Sequence, residues 1–251
     1  MDMMIYSILS VKNNHEKLNT LLITMKGISG TDLYAVSLDE ISAIVSDIKR
    51  TDLIADRSNA IEYAEVIENL AQQFTLLPMR FGSLMESTDA IKKMLGRNYN
   101  EIQHNLQKVE NKCEFGLKIF CDSEKLKAAL TVKSEAGTKT PDKPAREIKN
   151  SMYKDYVNQK LKEHRLEELL LSYVESVIAE ITGYLVRLNA VSKFKKMTTA
   201  STIIDAVFLL KKGRKDELIQ LVADLKKQHP GLNFVLTGPW PPYNFVEITI
   251  K

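Results

Sequence analysis

Apolar residues along the first half of the chain follow two alternating periods, and each period predicts an element. Residues 3–9 are apolar around Ile5 and Tyr6, which suits a buried strand. Residues 15–25 read as a helix, and Gly27 and Gly30 bracket a turn. Strands are predicted over 33–38 and 41–48, joined at Asp39-Glu40. Asn59, with Glu62 three residues later, fits an N-cap and its reciprocal carboxylate. The helix that follows places Tyr63, Ile67, Leu70 and Phe74 on one stripe. Residues 76–84 then alternate, with Leu77, Met79 and Phe81 on one face and Pro78 confining the strand to an edge or an entrance. A second helix starts near Ser87-Thr88-Asp89 and carries Ile91, Leu95, Ile102, Leu106 and Val109. Residues 114–121 return to period two through Phe115, Leu117, Ile119 and Cys121.

In the second half, Leu166, Leu170, Val174, Val177, Ile181, Tyr184, Leu188 and Val191 recur at three- and four-residue steps. That seam serves antiparallel helix packing or a short coiled coil, and an intramolecular core face is the favoured reading. Beyond the basic stretch 193–196 come a strand (203–210), a turn (211–214), a helix (216–228) and a strand (232–237), with Pro230-Gly231 punctuating the last two. The resulting β-α-β-α-β order predicts a ferredoxin-like α+β domain with an enlarged first helical crossover. The expected layout is an N-terminal α+β domain over 1–109, a ferredoxin-like domain over 110–238 and a proline and aromatic tail over 239–251. Gly137, Pro141 and Pro144 among charged and hydroxyl residues predict a mobile basic linker at 133–146.

Composition narrows the class. With 44% hydrophobic and 27% charged residues in 251, the chain can build a core and a hydrated surface, which excludes wholesale disorder. No apolar run approaches the ~20 residues of a membrane span. Met1-Asp2-Met3-Met4 carries no basic segment of a signal peptide, and two cysteines cannot make a disulfide framework, so a reduced cytoplasmic setting is expected. The net charge of +3 divides unevenly: 15 basic and 18 acidic residues up to Val132 give −3, and 20 and 14 beyond it give +6. An excess that small does not by itself imply nucleic acid.

Candidate chemistry is sparse. His15, His104, His164 and His229 lie among polar or charged neighbours and have no motif partner; neither Cys-x-x-Cys nor His-x-x-x-His spacing occurs. Cys113 and Cys121 read as one small half-buried thiol and one bystander. There is no Gly-x-Gly-x-x-Gly and no phosphate-binding loop. The turn Lys211-Lys212-Gly213-Arg214-Lys215 leads into a helix start, where a solvated basic turn is favoured over an anion site. Phe115, Phe120, Phe208 and Phe234 lack the aromatic-glycine pattern of an RNA-binding sheet and are read as core. No catalytic residue, cofactor or metal site is assigned from these residues, which leave an enzyme or an RNA binder open without positive support.

Two segments stand apart. In Leu77-Pro78-Met79-Arg80-Phe81-Gly82, alternation turns Arg80 away from Leu77, Met79 and Phe81, and a covered arginine there is expected to fork onto a carboxylate. Gly82 is assigned to a turn. The other segment, residues 236–246, holds the only tryptophan and three of the seven prolines. Proline fixes φ and removes donors, so this segment is not expected to continue the preceding strand as a regular ladder. It presents Trp240, Tyr243 and Phe245 at low entropic cost. Folding back onto its own domain is favoured, with partner contact at the exposed rim.

These two segments together resemble the gas vesicle protein GvpL/GvpF family, most specifically in the string Gly238-Pro239-Trp240-Pro241-Pro242-Tyr243. Residues 33–36, 41–47, 66–70 and 114–122 also sit where that family has counterparts, so the resemblance spans nearly the whole chain. The basic region 133–162 is particular to this sequence. The resemblance implies two α+β domains, the C-terminal one a modified ferredoxin-like fold. It also implies an accessory protein of gas vesicle formation, not an enzyme, that binds the small hydrophobic shell protein GvpA, as assembly factor or chaperone, and other gas vesicle accessory proteins. Neither nucleic acid nor membrane is an expected partner. The expected contact residues are Trp240, Tyr243 and Phe245, with Arg80 and Phe81 second. The alternatives are a minor component retained in the vesicle wall and, less favoured, an RNA-binding ferredoxin-like module.

Overall fold

Strand β1 (Asp2–Ser10) buries every side chain from Met4 to Leu9 in the computed structural model, which describes residues 2–121, 151–194 and 202–246. A strand covered on both faces belongs in the middle of a sheet. It lies there: β2 (Tyr34–Leu38), β3 (Ile41–Ile48), β1 and β4 (Leu76–Pro78) follow one another in space, and β5 (Leu84–Met85) also pairs with β1. All the pairings are antiparallel. The register of β1 on β3 shifts between Ile5 and Ser7, so Tyr6 is a bulge.

Helices α1 (His15–Ile23) and α2 (Arg57–Gln73) close one core with Leu18, Leu22, Val66, Ile67 and Leu70 against Met4, Tyr6, Leu9 and Ile44. Helices α3 (Thr88–Arg97) and α4 (Tyr99–Val109) pack on the strands with Ile91, Met94, Leu95, Ile102, Leu106 and Val109.

The second sheet orders its strands β7 (Val191–Phe194), β8 (Thr202–Lys211), β6 (Lys112–Cys121) and β9 (Leu232–Trp240). The long helix α5 (Ser151–Arg187) follows β6 and buries Val177, Ile181 and Leu185. Helix α6 (Lys215–Gln228) buries Leu218, Val222 and Leu225. Both sheets therefore place their strands in the order second, third, first, fourth. Internal contacts divide the chain into two compact units. One comprises residues 1–115, 209–213 and 238–251; the other comprises 116–208 and 214–237. The architecture is α+β.

The structure corrects several expectations. Asp56, not Asn59, caps α2: its carboxylate accepts from the Asn59 N–H at 2.9 Å. Asn59 is buried and donates its amide to the carbonyls of Asp52 and Ile54. The strand expected over 76–84 is two short strands, because the chain turns between them: Gly82 takes φ +83° and the Ser83 N–H donates to the Arg80 carbonyl at 3.1 Å. The single helix expected after Ser87 breaks at Asn98, whose amide donates to the Met94 carbonyl.

The helical seam ends at Arg187. Asn189 takes φ +54° and turns the chain, and Val191 is exposed in β7, a strand the sequence pattern did not reveal. Leu188 is buried, as is Leu185, which the seam omitted. Both cysteines are buried. The last strand runs on through Pro239 to Trp240, which an edge strand tolerates because one side needs no donors. The expected linker 133–146 lies outside the described residues.

Candidate partner-binding surface

The C-terminal segment is built on the start of β6. Gly238 has φ +108°, and a Cβ there would stand 2.7 Å from the Glu114 carbonyl oxygen, so only glycine fits. The Gly238–Pro239 bond is cis. Pro241 and Pro242 are buried beneath a tight turn in which the Tyr243 N–H donates to the Pro241 carbonyl at 2.8 Å and the Phe245 N–H to Pro242 at 3.3 Å.

Glu114 is 3% exposed and accepts two hydrogen bonds from Asn244, one from the backbone N–H to Oε2 at 2.8 Å and one from Nδ2 to Oε1 at 2.5 Å. Lys108 donates Nζ to the Phe245 carbonyl at 3.2 Å. Phe245 itself is 1% exposed, so its ring anchors the segment and presents nothing to a partner. Trp240 and Tyr243 remain 42% and 40% exposed. The Tyr243 hydroxyl is nonetheless enclosed. Its pKa is pushed up to about 12, first by that burial and then by the carboxylates of Glu68 and Glu114.

Around the other segment, Leu77 and Met79 are buried, but so is Leu76, so burial does not alternate there. Phe81 is half-buried and meets the Tyr63 ring edge-on, with centroids 5.5 Å apart. Gly82 has φ +83° and makes the expected turn. Arg80 is exposed and makes no ion pair to a described residue, so the expected fork onto a carboxylate is absent there.

Tyr63 anchors the segment 77–82. Its ring stacks on Tyr6 at 5.5 Å, and its hydroxyl donates to the Met79 and Tyr6 carbonyls. Burial holds that hydroxyl well above the ordinary tyrosine range, and Tyr243 adds to the effect before Tyr6 does. The structure thus brings Tyr6 and Phe81 to one buried tyrosine. Sequence reasoning passed over Glu114 and Asn244. The one available signal was a carboxylate set between Cys113 and Phe115 in an apolar strand.

Elsewhere, His229 does have partners. Its ring nitrogens meet the Tyr173 hydroxyl at 2.8 Å and Glu180 Oε2 at 3.1 Å. In the basic turn, Lys212 donates to the Ala71 carbonyl, and Arg214 to Glu217 and the Arg187 carbonyl. Among the described residues no group of three His, Cys, Asp or Glu side chains is placed to hold a metal ion, and no helix is long and apolar enough to cross a membrane.

A model of the family described as gas vesicle synthesis protein GvpL/GvpF matches residues 3–247. The chain belongs to this family. As a GvpL/GvpF protein it takes part in gas vesicle formation. Its relatives include gas vesicle protein F1 of Halobacterium salinarum, 21% identical over 91% of this chain and 88% of the relative. Gas vesicle protein L of a Streptomyces species is 20% identical over 78% of this chain and 71% of its own length. The crystal structure of the gas vesicle protein GvpF from an Anabaena species shares the fold, with a TM-score of 0.73 over 99% of this chain and 97% of that one, at 21% identity.

Proposed function

We propose that this chain is an assembly factor that binds the hydrophobic shell protein GvpA through apolar contacts and holds it until the shell polymerises. The observation that carries the reading is the exposed pair Trp240 and Tyr243, set on a segment whose Pro241, Pro242 and Phe245 are buried. Large aromatics on a fixed backbone lose little entropy on binding, and such residues dominate interface energies. A subunit destined to line a gas space exposes apolar surface beforehand and aggregates unless a partner covers it. Arg80, exposed beside Phe81, is a second contact, and other gas vesicle accessory proteins are further partners. Contact with a shell subunit before assembly places the work in the cytoplasm. The β-α-β-β-α-β order from β6 to β9, in its observed strand order, supports a ferredoxin-like reading of this part of the chain.

The test is capture of purified GvpA by the wild-type chain and by Trp240→Ala. The expected result is capture by the wild type and loss in the variant, with an unchanged circular dichroism spectrum. Equal capture by both removes the aromatic pair from the mechanism, and no capture by the wild type removes the assembly role. Copurification with washed intact vesicles would instead identify a component of the wall.

A further inference from the structure

The geometry points to Glu114 as the residue that positions the exposed aromatic pair, an inference that rests on the proposed partner surface. Glu114 meets the segment at both of its ends. Its backbone carbonyl lies against Gly238, where a Cβ would come within 2.7 Å. Its side chain takes the backbone N–H and the side-chain amide of Asn244 at 2.8 and 2.5 Å. Trp240 and Tyr243 lie between these two attachments. A carboxylate has acceptors only, so its two oxygens match the two N–H donors of one residue without a competing donor. At 3% exposure, water does not compete for either oxygen. The pairing is between residues 130 apart in sequence, so nothing local substitutes for it.

A swap of chemistry across this contact isolates it from general packing. Asn244→Asp sets two carboxylates against each other. Adding Glu114→Gln restores both bonds, with Gln Oε1 accepting from the backbone N–H and Gln Nε2 donating to the new aspartate. Trp240 is the only tryptophan, so its acrylamide quenching reads the segment directly with no partner present. In the full-length chain, Asn244→Asp is expected to raise quenching of Trp240 and to weaken capture of purified GvpA about tenfold. The double variant Glu114→Gln/Asn244→Asp should return both to near wild-type values.

Unchanged quenching in Asn244→Asp overturns the positioning role, as does a double variant that keeps its circular dichroism spectrum but fails to recover. If Asn244→Asp does not fold, recovery of fold and quenching in the double variant supports the role, and failure to recover overturns it. Quenching that responds as expected while the wild-type chain captures no GvpA overturns the proposed function and leaves Glu114 as the clamp of the segment.

Discussion

Replacing Tyr63 with phenylalanine tests whether one hydroxyl holds the Met79 segment in place. The ring is 6% exposed, and phenylalanine keeps both the stacking on Tyr6 and the edge contact with Phe81. Only the hydroxyl's bonds to the Met79 and Tyr6 carbonyls disappear. The Tyr6 carbonyl still receives the Met79 N–H at 2.9 Å, so the loss falls on the buried Met79 carbonyl. Leaving one buried acceptor without its donor costs about 1–3 kcal/mol. At a urea m-value of about 1–3 kcal/mol per molar, the midpoint should fall by roughly 1 M. Trp240 belongs to the same compact unit as Tyr63, so its fluorescence during a urea titration follows the relevant transition. Tyr63→Ala should cost about 3–5 kcal/mol, because it also empties the ring's site. A Tyr63→Phe midpoint within about 0.2 M of wild type, an error-sized shift for such extrapolations, refutes the idea that this hydroxyl holds the Met79 segment.

Other outcomes follow from the same geometry. Phe245→Ala should destabilise the unit containing Trp240 by about 3–5 kcal/mol, read by the same titration, because it deletes a fully buried ring. Tyr243 has a folded pKa raised to about 12 against an ordinary value near 10. The unfolded chain therefore ionises first, and stability present below pH ~10 should drain away as pH rises towards 12; tyrosinate absorbance beside alkaline unfolding would show it. His229→Ala removes contacts at 2.8 and 3.1 Å that join the end of α6 to α5, and should cost about 1–2 kcal/mol, seen as faster amide exchange in both helices.

The parts legible in the sequence are those whose burial repeats within a few residues. β1 and β3 are mostly apolar, with small serines between, because both faces are covered, and the stripe Tyr63, Ile67, Leu70 of α2 points where periodicity put it. The break between α3 and α4 was hidden because Leu95 and Ile102 stand seven residues apart, two helical turns, so the stripe stays in phase across Asn98. β7 escaped notice because its four residues, Val191 to Phe194, are short, partly basic and exposed at an edge. In the C-terminal segment, the aromatic residues were visible as a composition anomaly, but what fixes them was not. Glu114 and Asn244 lie 130 residues apart, and no local pattern announces a pair that far separated. Phe245 looked equivalent to Trp240 for the same reason: only three-dimensional packing separates an anchor from an exposed ring.

The distance along the chain between Glu114 and Asn244 has a consequence for biogenesis. Closing an unstructured loop of that length costs on the order of 4 kcal/mol, so the two residues meet efficiently only once the intervening polypeptide has folded. A ribosome-bound fragment ending before Asn244 contains Trp240 yet lacks the attachment to Glu114 that fixes its segment. Synthesis as far as Asn244 is therefore the step before which the exposed rings of this segment cannot be fixed on the fold.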